Sequence, residues 1–152
     1  MRAEIINPFL EATVSVLKTM AFIDIQAGQP FIKKNTISRG DISGVVGMTG
    51  ETEGSLSLTF SKDCICHIVS NMFGETFSEI TEEVKDAVGE LTNMISGDAR
   101  RRLEANGILL AGAIPSVICG PGHEIRHVTK QPIISIPFLT GQGDFHIEIC
   151  FK

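Results

Sequence analysis

Residues 79–105 read EITEEVKDAVGELTNMISGDARRRLEA, and the fold turns on taking this stretch as one long helix. At about 100° per residue, Val84, Val88, Leu91, Ile95, Ala99 and Arg102 fall along one line, and Glu90 and Asn93 lie on the opposite side. Three residues apart, Glu90 and Asn93 are neighbours one turn apart and point the same way. A carboxylate and a carboxamide placed together can offer an ion-pairing group and a water-orienting group to another molecule. Glu-x-x-Asn alone is also the spacing of an ordinary solvated helix pair. Its neighbours shift that balance. Asp86, one turn before Glu90, makes the face acidic and suits a partner carrying lysine or arginine. Gly89 and Gly97 share the outward half of the helix, where each costs about 1 kcal/mol relative to Ala. A helix that tolerates both is one that something approaches closely.

The flanking chain supplies a sheet for this helix to lie on. Asn106-Gly107 stops it, and strands are expected at 107–119, 132–139 and 143–151, with Gly141-Gln142-Gly143-Asp144 as a tight connection and Gly120-Pro121-Gly122-His123 as a turn. Upstream, Asp41–Met48 and Gly54–Phe60 flank Thr49–Glu53 and read as a hairpin. Leu56, Leu58 and Phe60 alternate with Ser55, Ser57 and Thr59, so one face of that strand is expected to be wet. Ser61 is placed to cap a helix through Met72 that ends at Gly74. Asn7-Pro8 has the form of a helix start, with Asn as cap and Pro at the first helical position, for a helix ending near Ala21. A further strand is expected over Pro30–Asn35. The order of helix then strands occurs twice, Asn7–Phe60 echoed by Glu79–Phe151, which leaves an internal duplication open. The layout is α+β: an antiparallel β-sheet with long helices packed on it, one domain over residues 1–152.

Composition limits the function classes. The 152 residues are 43% hydrophobic and 20% charged, with a net charge of −5, which is globular composition and argues against nucleic acid or an anionic membrane surface as the main partner. No apolar run approaches the roughly 20 residues needed to span a bilayer, and the acidic start does not support a signal peptide. Cys64, Cys66, Cys119 and Cys150 read mainly as buried thiols of a cytoplasmic protein. His123 and His127 sit in a turn-rich segment, a poor setting for a metal pair, and Cys64-x-Cys66-His67 lacks zinc or redox spacing. Gly44–Gly50 and Gly141–Gly143 match no phosphate-binding fingerprint, and no Gly-x-Ser-x-Gly occurs. No metal site of its own is expected.

Several segments in order resemble a known family: Asn7-Pro8-Phe9-Leu10, Val16–Met20, Gly44–Gly50, Gly54–Ser61, Met72-Phe73-Gly74 and, centrally, Glu90–Ala99. Across nearly its whole length the chain is similar to CheX, among the CheC/CheX/FliY phosphatases that act on the phosphorylated chemotaxis regulator CheY. The resemblance implies that Glu90 pairs with the regulator's active-site lysine and that Asn93 holds a water in line with phosphorus. The Mg²⁺ would come with the partner receiver domain. Asp86, Gly89 and Gly97 would belong to the partner-binding surface. Members with two sites carry a second Glu-x-x-Asn on the first helix. Here Glu11 is followed by Val14, which implies one site per chain, and a homodimer joined through the sheets. The alternatives are a non-catalytic module that binds a receiver domain or flagellar-switch component, and a scaffold with a degenerate face.

Overall fold

The hairpin at 41–60 forms the middle of the molecule. In the computed structural model, which describes residues 3–127 and 129–152, β3 (Ile42–Gly50) and β4 (Glu53–Phe60) pair antiparallel around a turn at Glu51-Thr52. A second hairpin, β7 (Ile133–Leu139) and β8 (Asp144–Phe151), closes through Gly141 and Gly143, whose φ values of 78° and 109° only glycine adopts without strain. β8 pairs with β4 and joins the hairpins. Short strands extend each side: β1 (Gln26–Ala27) and β2 (Phe31–Lys33) lie on β7, and β5 (Leu110–Gly112) and β6 (Ser116–Cys119) lie on β3. The eight-stranded sheet runs β1-β7-β8-β4-β3-β5, with β2 beside β1 along β7 and β6 beside β5 along β3.

Three helices cover one face. In α2 (Lys62–Phe73), Ser61 accepts from the Cys64 N–H and Gly74 closes the end in the left-handed region at φ 66°. The long helix, α3 (Glu82–Ala105), starts three residues later than the periodicity alone predicts, because the Thr81 hydroxyl caps it by accepting from the Val84 N–H at 3.3 Å. Glu82 and Glu83 then sit at the positive end of the helix dipole. The first helix departs further. α1 (Ala3–Ala21) begins before Asn7 and carries Pro8 inside it. Ile5 is buried, so tertiary packing extends the helix past the local Asn-Pro start signal. Ile42, Val46, Leu56, Leu58, Ile147 and Ile149 from the strands share one core with Phe9, Leu17, Ile65, Val88, Leu91 and Ile95 from the helices.

The expected wet face is not wet. Ser55, Ser57 and Thr59 are buried, because residues 120–127 and 129–131 cross the far side of the sheet as a strap. It buries the apolar Ile125 and makes polar contacts as well. His123 Nε2 lies 2.6 Å from Ser43 Oγ, which also meets Thr59, and His127 Nδ1 lies 2.6 Å from Ser55 Oγ. Beneath it, Glu148 is fully buried with Lys33 Nζ at 2.5 Å, His127 Nε2 at 3.0 Å and His146 Nε2 at 3.5 Å. Polar alternation along β4 therefore marks a second buried layer, and the two histidines of the strap are structural anchors to different strands.

The two halves of the chain superimpose in pattern. Ile5, Phe9, Ala12, Thr13 and Val16 of α1 and Val84, Val88, Leu91, Thr92 and Ile95 of α3 are buried at one constant offset. Thr13 and Thr92 each donate to the carbonyl four residues back, at 2.7 Å. The edges correspond as well. From Met48 to Val45, β3 advances three residues while its partner advances four, Gly112 to Ser116; from Phe138 to Ser135, β7 advances three while Ala27 to Phe31 advances four. Each edge thus carries a one-residue bulge. Both open on the same bond, Ala113 N–H to Gly47 O at 2.9 Å and Gly28 N–H to Pro137 O at 2.7 Å. The bulged pairs are Ile114-Pro115 and Gln29-Pro30. The repeated order of helix and strands is thus an architectural repeat about the β4–β8 seam.

Candidate functional site

α3 lies on β3 with Val84, Val88, Leu91, Ile95 and Ala99 of the sequence-predicted line inward, whereas Arg102 at its end is part-exposed and ion-paired and Leu103 is buried instead. Gly44 sets how close it comes: a Cβ built there would sit 1.9 Å from Thr92 Oγ1, so only glycine lets the helix settle at this depth. Thr92 is itself fully buried and its hydroxyl is satisfied by the Val88 carbonyl. Thr92 is therefore clamped, which fixes the stretch of helix backbone that carries Glu90 and Asn93. Gly44 was quoted in the sequence only as part of a glycine-rich piece. Its packing role follows from which face of β3 meets α3, which local sequence does not reveal.

Asp86, Glu90 and Asn93 are all exposed on the outward face. None of their side chains has a hydrogen bond or ion pair among the described residues. Elsewhere on the same helix charges are tied: Lys85 to Glu82 at 3.2 Å, and Arg102 to Asp98 at 2.9 Å and to Glu11 at 3.1 Å, with Arg101 also on Asp98. The contrast leaves a carboxylate and a carboxamide free to meet a partner.

The two glycines fall on opposite flanks of that face. Gly89 lines a groove of about 470 Å³ with Glu82, Lys85, Asp86, Pro115, Val117 and Cys119, between α3 and β6. Gly97 lines another, about 460 Å³, between α3 and α1, with Met94, Asp98, Ser15 and Thr19 among its walls. Neither glycine is required by internal packing. The nearest atom to a Cβ at Gly89 is Val117 Cγ2 at 3.5 Å, and at Gly97 it is the Arg100 guanidinium at 3.8 Å. The structure brings Asp86, Gly89, Glu90, Asn93 and Gly97 together on one surface, with Asn93 between the glycines.

The corresponding face of α1 is built differently. Glu11 sits at the counterpart of Glu90 but is held by Arg102, and Val14, at the counterpart of Asn93, packs against the core. Of the four free cysteines, Cys64, Cys66 and Cys150 are buried and Cys119 is exposed at the α3–β6 groove. Burial pushes the Cys64 thiol up to about 12. No helix is long and apolar enough to cross a membrane among the described residues.

Comparisons with known proteins converge. The family model described as chemotaxis phosphatase CheX matches residues 42–139. The CheY-P phosphatase CheX of Thermotoga maritima is 28% identical over 156 residues, covering 100% of this chain and 98% of the relative. The crystal structure of the chemotaxis protein CheX from Desulfovibrio desulfuricans is similar with a TM-score of 0.90 and 52% identity, over 98% of this chain and 99% of that one. A CheX–CheY–BeF3–Mg²⁺ complex from Borrelia burgdorferi is similar with a TM-score of 0.84 and 25% identity, over 99% of each chain.

Proposed function

The chain belongs to the chemotaxis phosphatase CheX family, and from that premise we propose that it hydrolyses the aspartyl phosphate of a CheY-type receiver domain in the cytoplasm. The observation that carries this reading is the pair Glu90 and Asn93, exposed, adjacent and unengaged by the described residues, on a helix whose depth Gly44 fixes. Similarity to the Thermotoga CheY-P phosphatase and to the Borrelia CheX that binds CheY supports the choice of substrate.

Phosphoryl transfer to water needs positioning and charge stabilisation more than covalent help. Glu90 offers a carboxylate to the lysine of the receiver site, and Asp86 deepens the negative potential one turn away. That ion pair fixes the register of docking. Asn93, three residues on, then enters the partner's site, where its carbonyl oxygen accepts from the attacking water and its amide donates toward the phosphoryl oxygens. The amide does not titrate, so it orients water without changing charge. Gly89 and Gly97 keep the flanks of Asn93 low enough for the partner to close over it. The electrophile and the Mg²⁺ belong to the partner, where the ion neutralises charge on the phosphoryl oxygens. We infer self-association through the sheets, as the family resemblance implies.

The test is phosphate release from a phosphorylated receiver domain in Mg²⁺. Asn93→Ala is expected to lower kcat by about 10²-fold or more at near-parent affinity, in line with loss of a group that acts only in the transition state. Turnover by Asn93→Ala at the parent rate would sink the mechanism. A parent protein that binds the receiver without speeding hydrolysis would instead establish the non-catalytic module.

A further inference from the structure

Resting on the receiver-phosphatase reading above, we propose that Ile114, the bulged residue of the β5–β6 edge, is an apolar docking residue for the receiver domain and sets its affinity beside Asn93. Ile114 is 90% exposed, more than any other large hydrophobic side chain among the described residues. Its place follows from two contacts that bracket it. A Cβ on Gly112 would lie 3.0 Å from the Arg100 guanidinium, and a Cβ on Gly89 would lie 3.5 Å from Val117 Cγ2. Gly89 to Arg100 spans about 16 Å of helix, and Gly112 to Val117, which pair with Met48 and Gly44, cover about 13 Å of strand across the bulge. The residues between therefore run alongside the turns that carry Asn93 and Ser96. The bulge pushes one extra side chain out of the edge there.

The chain supplies its own comparison. At the corresponding bulge the residue is Gln29, in the half whose helix has Val14 where α3 has Asn93. The fold thus accepts a polar residue at this position, and isoleucine occurs in the half that keeps the Glu-Asn pair. Next to Ile114 along the edge, Pro115 and Val117, the latter 37% exposed, line the groove that reaches Asp86. A partner that fits presents apolar side chains next to a lysine, with the lysine on the Asp86–Glu90 side. A second copy adding to this edge fits poorly, because Pro115 has no N–H to donate and the bulge breaks the flat edge that strand pairing needs.

The experiment uses the full chain and a CheY-type receiver domain. Affinity is measured with the receiver loaded with BeF3⁻ and Mg²⁺, and turnover with the same receiver phosphorylated by acetyl phosphate. Ile114→Gln, which copies the tolerated residue of the other bulge, is expected to raise Kd and KM about tenfold and leave kcat within about twofold. Ile114→Leu should restore parent affinity, and Gln29→Ala should behave as the parent. Parent-like Kd and KM in Ile114→Gln would overturn the proposal even if Asn93→Ala loses kcat, which separates its failure from failure of the phosphatase reading. A changed sedimentation coefficient for Ile114→Gln with unchanged Kd would also overturn it, by assigning Ile114 to self-association.

Discussion

Substituting Gly44 tests whether helix depth governs the chemistry. Alanine there forces its Cβ against Thr92 Oγ1, a buried group already bonded to Val88 and with little room to retreat. Overpacking of this kind costs about 1–3 kcal/mol, and relief by lifting α3 would carry Asn93 outward. Gly44→Ala is therefore expected to lower the denaturation midpoint and to reduce kcat about tenfold, read by urea titration and phosphate release. Glu90→Lys should raise KM more than Glu90→Ala, since it adds repulsion against the partner's lysine to the loss of attraction. Periodicity placed Glu90, Asn93 and Asp86 on one exposed face, because orientation depends only on the helix to which they belong, while the role given to the pair came from the family resemblance. Gly44 and Ile114 were illegible for the opposite reason: their roles arise from which strand face or edge lies against α3.

Among the elements, α1 and α3 share burial pattern and threonine back-bonds yet differ in what they leave free. Arg102 holds Glu11 at 3.1 Å and is itself committed to Asp98. Adding Asn at position 14 would complete the side-chain pair without releasing the carboxylate. In an Asn93→Ala background, Val14→Asn is expected to leave turnover at the Asn93→Ala level, measured as phosphate release per chain. Helix and strand types were readable from capping residues and alternation, including Ser61, Gly74 and the β3–β4 turn. Boundaries were less so. Asn7-Pro8 signalled a start that packing of Ile5 overrode, and Thr81 outcompeted Glu79 as the point where α3 begins. The Ser55-Ser57-Thr59 alternation was read correctly as polar and wrongly as solvated, since nothing local announces the strap that covers it.

At the scale of the whole molecule, Glu148 is expected to give stability an acid limb. Burial alone would push Glu148 up, but hydrogen bonds from His127, His146 and Lys33 together outweigh it and hold the group well below the ordinary carboxylate range. The unfolded chain then takes up that proton more readily than the folded one. The stability Glu148 contributes is present above the ordinary carboxylate range and is lost as pH falls through it toward the depressed folded value. Denaturant titrations from pH 7 to 3 should show this loss in the parent and a flatter acid limb in Glu148→Gln. That variant should already be less stable by about 3–5 kcal/mol at pH 7, because Lys33 is left buried without its counter-charge. Lys33→Met/Glu148→Leu, which removes both charges, should recover most of the difference.

The matching bulges and helices give the protein a record of its own constraints. Where the halves agree, as at Thr13 and Thr92 or Pro30 and Pro115, one architecture imposes the same demand twice. Where they part, as at Val14 and Asn93, the demand is not architectural. A chain so built can be interrogated by transplanting residues from one half to the other, each exchange being one whose backbone setting the molecule already contains.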